Sequence, residues 1–177
     1  AIDVVPNGIP RSGDLPSVLP AQPNASAGFP VILFIGHLGY RPNIDAAEWL
    51  ARNILPRIRR VLPAARLVLA GRSPKPAVLA LTELAGVSLV EDPQDVRPML
   101  SAAHLSIVPL SAGGGTRIKI LEAMGFGIPV IATPRADEGL DLIENKEGLL
   151  SDSDNGLAEI ASELCQEPAR MARHRYL

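Results

Sequence analysis

From Pro30 onward the chain alternates between two hydrophobic rhythms. Short apolar-rich runs at Val31–Ile35, Leu67–Ala70, Val87–Val90, Leu105–Val108 and Ile128–Ala132 predict buried strands, with Pro129 at the tolerated opening of the last. Between them, apolar residues recur at helical spacing. Ala46, Ala47, Leu50, Ile54, Ile58 and Leu62 predict a long helix that Asn43 caps and Pro56 kinks or splits. Further helices are predicted over Ala77–Leu84, from Asp92 or Pro93 to about Ala103, and from Thr116 to a left-handed stop at Gly125-Phe126-Gly127. Leu149-Leu150 predicts an edge strand, followed by a helix over Asn155–Gln166 with Asp154 or Ser153 as its cap. Five or six strands alternating with helices predict right-handed crossovers. The expected fold is therefore α/β, a Rossmann-like open parallel sheet with helices on both faces.

The first thirty residues break this rhythm. Pro6, Pro10, Pro16, Pro20, Pro23 and Pro30, with the turn pair Asn7-Gly8, predict an extended linker over 1–30 ahead of one domain over 31–177. A domain that opens on a linker is expected to be the C-terminal part of a longer protein. Hydrophobic residues make up 47% and aromatic residues 3%, so Ala, Val, Leu and Ile must build the core. A formal net charge of -2 argues against a nucleic-acid partner, which usually demands a basic surplus. Cys165, the only cysteine, excludes an internal disulfide and falls in a helical-periodic stretch, which predicts a small buried hydrophobe. No apolar run is long enough to span a bilayer, and Ala1-Ile2-Asp3 opens nothing like a signal peptide.

Candidate chemistry concentrates where the fourth strand ends. Gly113-Gly114-Gly115 lead into Thr116-Arg117-Ile118-Lys119-Ile120-Leu121-Glu122, so backbone N–H groups and a helix N-terminus converge on one spot. Cations in a first helical turn are disfavoured unless an anion lies nearby, which Arg117 and Lys119 imply. Glu122, a turn further on, suits sugar hydroxyls. In open parallel sheets ligands sit beyond the carboxyl ends of the strands. Loops there gather Gly36, His37, Arg41, Asn43, Arg72, Arg117, Lys119 and Glu122, whose cations would neutralise a diphosphate. The plainer reading pairs Lys119 with Glu122 on a helix surface and leaves Arg41 and Arg72 as solvated loop residues. Arg57, Arg59 and Arg60 read as a solvated helix face. The chain lacks a G-x-G-x-x-G turn after its first strand, a Walker A ending, a G-x-S-x-G elbow and any zinc spacing around His37, His104 or His174.

These residues resemble the nucleotide-sugar-binding C-terminal domain of GT-B glycosyltransferases, within the retaining group 1 (family four) set. Val4-Val5-Pro6-Asn7-Gly8-Ile9 resembles the hinge into that domain, and Phe34 to Asn43 its first strand and loop. Leu67 to Gly71 resembles its second strand, while Pro109 to Met124 and Gly127 to Thr133 resemble its donor-binding signature. The resemblance implies retaining transfer of a sugar from a nucleotide diphosphate sugar to a glycan or lipid-linked acceptor, with no bound metal or other cofactor. It implies that Glu122 grips the ribose and that the glycine loop, Thr116, Arg117 and Lys119 hold the diphosphate. The base would lie along backbone near Val90–Asp92. Gly114 stands eight positions before Glu122, where the family has its first glutamate; a subset of the family carries this Gly-Gly-Gly-Thr-Arg form. His37 and Pro42 stand where an arginine and a lysine are common, leaving Arg41 as the candidate replacement.

The acceptor site and part of the catalytic machinery would lie in an N-terminal domain absent from this chain. The chain is therefore expected to bind donor weakly and turn over nothing alone. A cytoplasmic bacterial enzyme of polysaccharide synthesis, visiting the inner membrane surface, would fit the resemblance. Two other functions share the fold: a nucleotide-sugar epimerase, and a non-catalytic flavodoxin-like or receiver-type module. A receiver needs acids at its first strand end, and Gly36-His37-Leu38-Gly39 supplies none.

Overall fold

A computed structural model describes residues 30–113, 117–140, 142 and 149–174. The expected linker, together with Gly114, Gly115 and the Thr116 cap, lies outside those residues. The six strands are β1 (Val31–Ile35), β2 (Arg66–Gly71), β3 (Val87–Glu91), β4 (Leu105–Val108), β5 (Val130–Ala132) and β6 (Leu149–Leu150). All pair in parallel in the order β3-β2-β1-β4-β5-β6, with Phe34 opposite Leu69 and Leu33 opposite Ser106. The chain winds outward from β1 through β2 to β3, then returns to start again at β4. The winding direction thus reverses between β1 and β4. Such a reversal opens a crevice at the strands' carboxyl ends.

Aliphatic side chains fill the core, as the composition requires. Leu33, Leu67, Leu69, Leu105, Ile107 and Ile131 are fully buried in the sheet, and Phe34 is the one large ring among them. The long first helix is three pieces: α1 (Arg41–Trp49), a π-helical turn over Leu50–Ile54, and α2 (Leu55–Val61). Pro56 has no N–H for the Arg52 carbonyl and its ring crowds that oxygen. The helix widens just before it, and Leu55 N–H reaches back five residues to the Leu50 carbonyl. That is the split the proline predicted. Arg57 and Arg59 are not a solvated face. Arg57 pairs with Asp154 at 3.0 Å and Arg59 donates to the Ala65 carbonyl at 3.0 Å. Trp49 Nε1 also donates to Asp154, and Arg57 Nε to Asn155 at 3.0 Å, so these contacts fasten the helix to its neighbours.

The remaining helices are α3 (Pro76–Leu79) with a 3-10 turn over Ala80–Glu83, α4 (Arg97–Ala102), α5 (Ile118–Gly125), α6 (Pro134–Asp137), α7 (Asp154–Gln166) and α8 (Pro168–Arg173). The helix expected from Asp92 or Pro93 starts only at Arg97, because Pro98 is tolerated only in a first turn. Asn43 does not cap α1. Tyr40 takes the cap position and Pro42 the first turn, leaving Asn43 inside the helix and buried. The left-handed stop after α5 is present: Gly127 has φ 67°, its N–H bonds Met124, and Ile128 N–H bonds Ala123. Ser153 caps α7 through Gly156 N–H at 3.0 Å. Cys165 packs against the core, and burial pushes its thiol up to about 12. Among the described residues no helix is long and apolar enough to cross a membrane.

Candidate functional site

A cleft of about 540 Å³ opens where β1 and β2 end, walled by the loop after β3 and the first turns of α5. Gly36, His37, Gly71, Arg72, Lys119 and Glu122 line it, with Asp95 from the loop after β3, Arg97 from the start of α4 and Ile118 from α5. Backbone makes its floor. A Cβ on Gly71 would stand 1.7 Å from the Gly36 carbonyl oxygen, so only glycine lets these two strand ends meet. Leu38 N–H bonds the Arg72 carbonyl at 2.8 Å and Ser73 N–H bonds Asp92 at 2.9 Å, which hold the loops in register.

Five of the sequence candidates, Gly36, His37, Arg72, Lys119 and Glu122, therefore share one cavity. Gly114, Gly115 and Thr116 lie outside the described residues, and Arg41, Asn43, Gly113 and Arg117 do not line the cavity. Arg41 does not line the cleft: it stays exposed and pairs with Asp45 one turn on, at 2.9 Å. Arg117 is also not a cleft cation. It is 6% exposed and donates to the carbonyls of Gly113, Arg135 and Ala136 at 2.9–3.2 Å. Buried carbonyls need donors, and one guanidinium satisfies three of them where the glycine loop meets α6. Gly113 has φ 103°, and a Cβ there would stand 3.3 Å from Pro42 and from the Tyr40 hydroxyl.

Lys119 is the buried cation of the cleft, which Arg72 and Arg97 also line. Its Nζ donates to Asn43 Oδ1 at 2.6 Å and lies 4.7 Å from the centre of the Phe34 ring. Burial, with Arg117 nearby, lowers its pKa from 10.5 to about 8. The surface pair with Glu122 does not form; among the described residues no carboxylate forms an ion pair with Lys119. Glu122 is half-buried, and burial raises its carboxyl above the ordinary range. The described residues offer that carboxylate no hydrogen-bond partner. Among the described residues the cleft therefore holds a lysine with no ion-pair partner, and a carboxylate facing the same space one turn along the helix.

The sequence reading missed Arg97, Asp95, Ile118 and Gly71. Arg97 holds Asp95 through its Nε at 2.9 Å and keeps that carboxyl below its usual value. The signal available was Pro98, which moves the helix start to Arg97 and turns the residues before it into a cleft wall. Among the described residues no group of three or more His, Cys, Asp or Glu side chains could hold a metal ion.

Residues 29–167 match the family described as glycosyl transferases group 1. The chain belongs to that family. No curated protein matches it by sequence. Among solved structures of the GT-B fold, it is similar to Anabaena HepE in complex with UDP and glucose, at 16% identity and TM-score 0.66 over 87% of this chain and 43% of that one. It is similar to TarM at 20% identity and TM-score 0.66, over 81% of this chain and 30% of TarM. The C-terminal domain of a Francisella tularensis group 1 protein, LpcC, aligns at 14% identity and TM-score 0.63, over 91% of this chain and 89% of that domain. This group 1 glycosyltransferase chain thus has the fold of the C-terminal half of a GT-B enzyme, and spans less than half the length of HepE and TarM.

Proposed function

We propose that the chain is the donor-binding half of a retaining glycosyltransferase and that its cleft takes a nucleotide diphosphate sugar. Lys119 and Arg72 neutralise the diphosphate beside the start of α5, whose partial positive charge adds to theirs. Preorganised cations of this kind also stabilise charge on the departing nucleotide, so no metal is needed for that step. Glu122 accepts from the ribose hydroxyls. The base runs toward the loop after β3, past the half-exposed Val90 and the Asp95–Arg97 pair. Acceptor binding and turnover await an N-terminal domain of the same protein, and the acceptor is a glycan or lipid-linked sugar met at the inner face of a bacterial membrane.

One observation supports this reading above others: the Lys119 ammonium and the Glu122 carboxylate, neither in an ion pair among the described residues, face one crevice at the point where the sheet reverses direction. The UDP bound in HepE is consistent with it. Titrating the chain with UDP-, GDP- and dTDP-linked sugars, followed by backbone amide shifts, tests it. Shifts are expected at Gly36, Arg72, Gly113 and Lys119, and unchanged in EDTA. If no sugar nucleotide moves these amides, the assignment fails.

A further inference from the structure

Asn43 lies in the first turn of α1, 7% exposed, and both ends of its amide are engaged. Nδ2 donates to the His37 carbonyl at 3.0 Å, and Oδ1 accepts from Lys119 Nζ at 2.6 Å. One side chain thus joins the loop after β1 to the first turn of α5. Gly36 keeps the space open: a Cβ there would stand 3.0 Å from Asn43 Cγ and 3.1 Å from Lys119 Nζ. An amide alone meets both demands. Aspartate would set a carboxylate oxygen against the His37 carbonyl and give Lys119 a permanent counter-ion. An apolar residue would leave a buried carbonyl and a buried ammonium short of partners.

We propose that Asn43 is a positioning residue for the donor: as a neutral acceptor it aims the Lys119 ammonium into the cleft and leaves its whole charge for a diphosphate. The inference rests on the sugar-nucleotide reading of the cleft. The other charged or titratable groups around Lys119 are Arg117 beside it, His37 and Arg72 from the loops after β1 and β2, Asp95 from the loop after β3, Arg97 at the start of α4, and Glu122 on α5. None of them is hydrogen-bonded to Nζ among the described residues; Asn43 is.

The test uses Asn43→Asp and Asn43→Ala with two readouts: the Lys119 titration midpoint without ligand, from lysine side-chain NMR, and UDP affinity against pH by calorimetry. A carboxylate in contact is expected to raise the midpoint by about 1–3 pH units and to weaken UDP at pH 7 about tenfold or more, with the folded state retained. Asn43→Ala is expected to lower the midpoint and weaken UDP several-fold. It decides the matter by itself should the aspartate variant fail to fold. A midpoint that stays put in both variants while thermal stability falls would overturn the proposal and leave Asn43 a packing residue. If the wild-type chain binds no UDP yet the midpoints shift as expected, the substrate reading falls while the Asn43–Lys119 coupling stands.

Discussion

Replacing Lys119 by methionine should make the ligand-free chain more stable and unable to hold a diphosphate. Burial lowers the lysine from 10.5 to about 8. At about 1.4 kcal/mol for each pH unit, keeping the ammonium charged at pH 7 costs the folded state about 3 kcal/mol. Methionine removes that cost but leaves the Asn43 Oδ1 acceptor without its 2.6 Å donor, a loss of about 1–2 kcal/mol. The net gain is about 1–2 kcal/mol, or about 3–6 °C in thermal midpoint for a chain of this size. The pH dependence has a definite sign. Between about 8 and 10.5 the unfolded wild type holds more protons than the folded one, so wild-type stability rises across that window. The advantage of Lys119→Met should therefore be full at pH 7 and shrink toward pH 10. Calorimetric melting of both proteins at pH 7 and pH 10 measures this, and UDP affinity should fall about tenfold to a hundredfold for a lost charge-assisted hydrogen bond. A variant that melts at or below wild type at pH 7, or a gap that ignores pH, would refute the reasoning.

Glu122→Ala should weaken UDP by about tenfold through lost ribose contacts, and wild-type affinity should trace a bell, checked by calorimetry across pH. It falls on the acid side as the raised Glu122 carboxyl takes a proton, and above about 8 as Lys119 loses one. Gly71→Ala should cost roughly 3 kcal/mol or more in urea unfolding, since its new Cβ meets a backbone oxygen at 1.7 Å and neither strand end can retreat cheaply. Arg117→Ala and Arg72→Ala should separate. The first lowers the melting temperature because three carbonyls lose their donor, whereas the second weakens UDP with little change in melting.

The central strands were legible because burial on both faces forces short apolar-rich runs, and β4, buried throughout, matches its predicted bounds residue for residue; the edge strand β3 is apolar-rich but largely exposed. The Pro56 disruption and the Gly127 stop were legible for a similar reason: each is a local steric rule that tertiary context cannot easily evade. Helix starts were harder. Asn43 has the chemistry of a cap, but Pro42 had already fixed the first turn, and its amide found partners from elsewhere in the fold. Among the cations, sequence could not separate Arg117 from Lys119, two residues apart. On a helix entry, neighbours two apart point to different sides. One guanidinium went inward to buried carbonyls and one ammonium went to the cleft. Which went where depended on α6, an element capped by Thr133 that the hydrophobic pattern did not announce.

The cleft is also where this fold spends stability, which separates a binding site from an incidental groove. Ser73 and Asp92, both non-glycine, hold left-handed backbone at φ 53° and 44° on the loops after β2 and β3. Each such residue costs on the order of 1 kcal/mol unless its surroundings enforce it. Here they enforce each other, since Ser73 N–H bonds the Asp92 carboxylate at 2.9 Å. Gly36 and Gly71 forgo side chains at strand ends, and Lys119 keeps its charge in a half-dry setting. The groove lined by Arg52, Leu55, Arg59, Arg60 and Leu84 is nearly as large, about 500 Å³, but its lining has no glycine and no left-handed residue, and Arg52 and Arg60 are exposed. Size alone would not choose between the two. Strain, bare backbone and a buried cation, gathered at the reversal of the sheet, set the cleft apart.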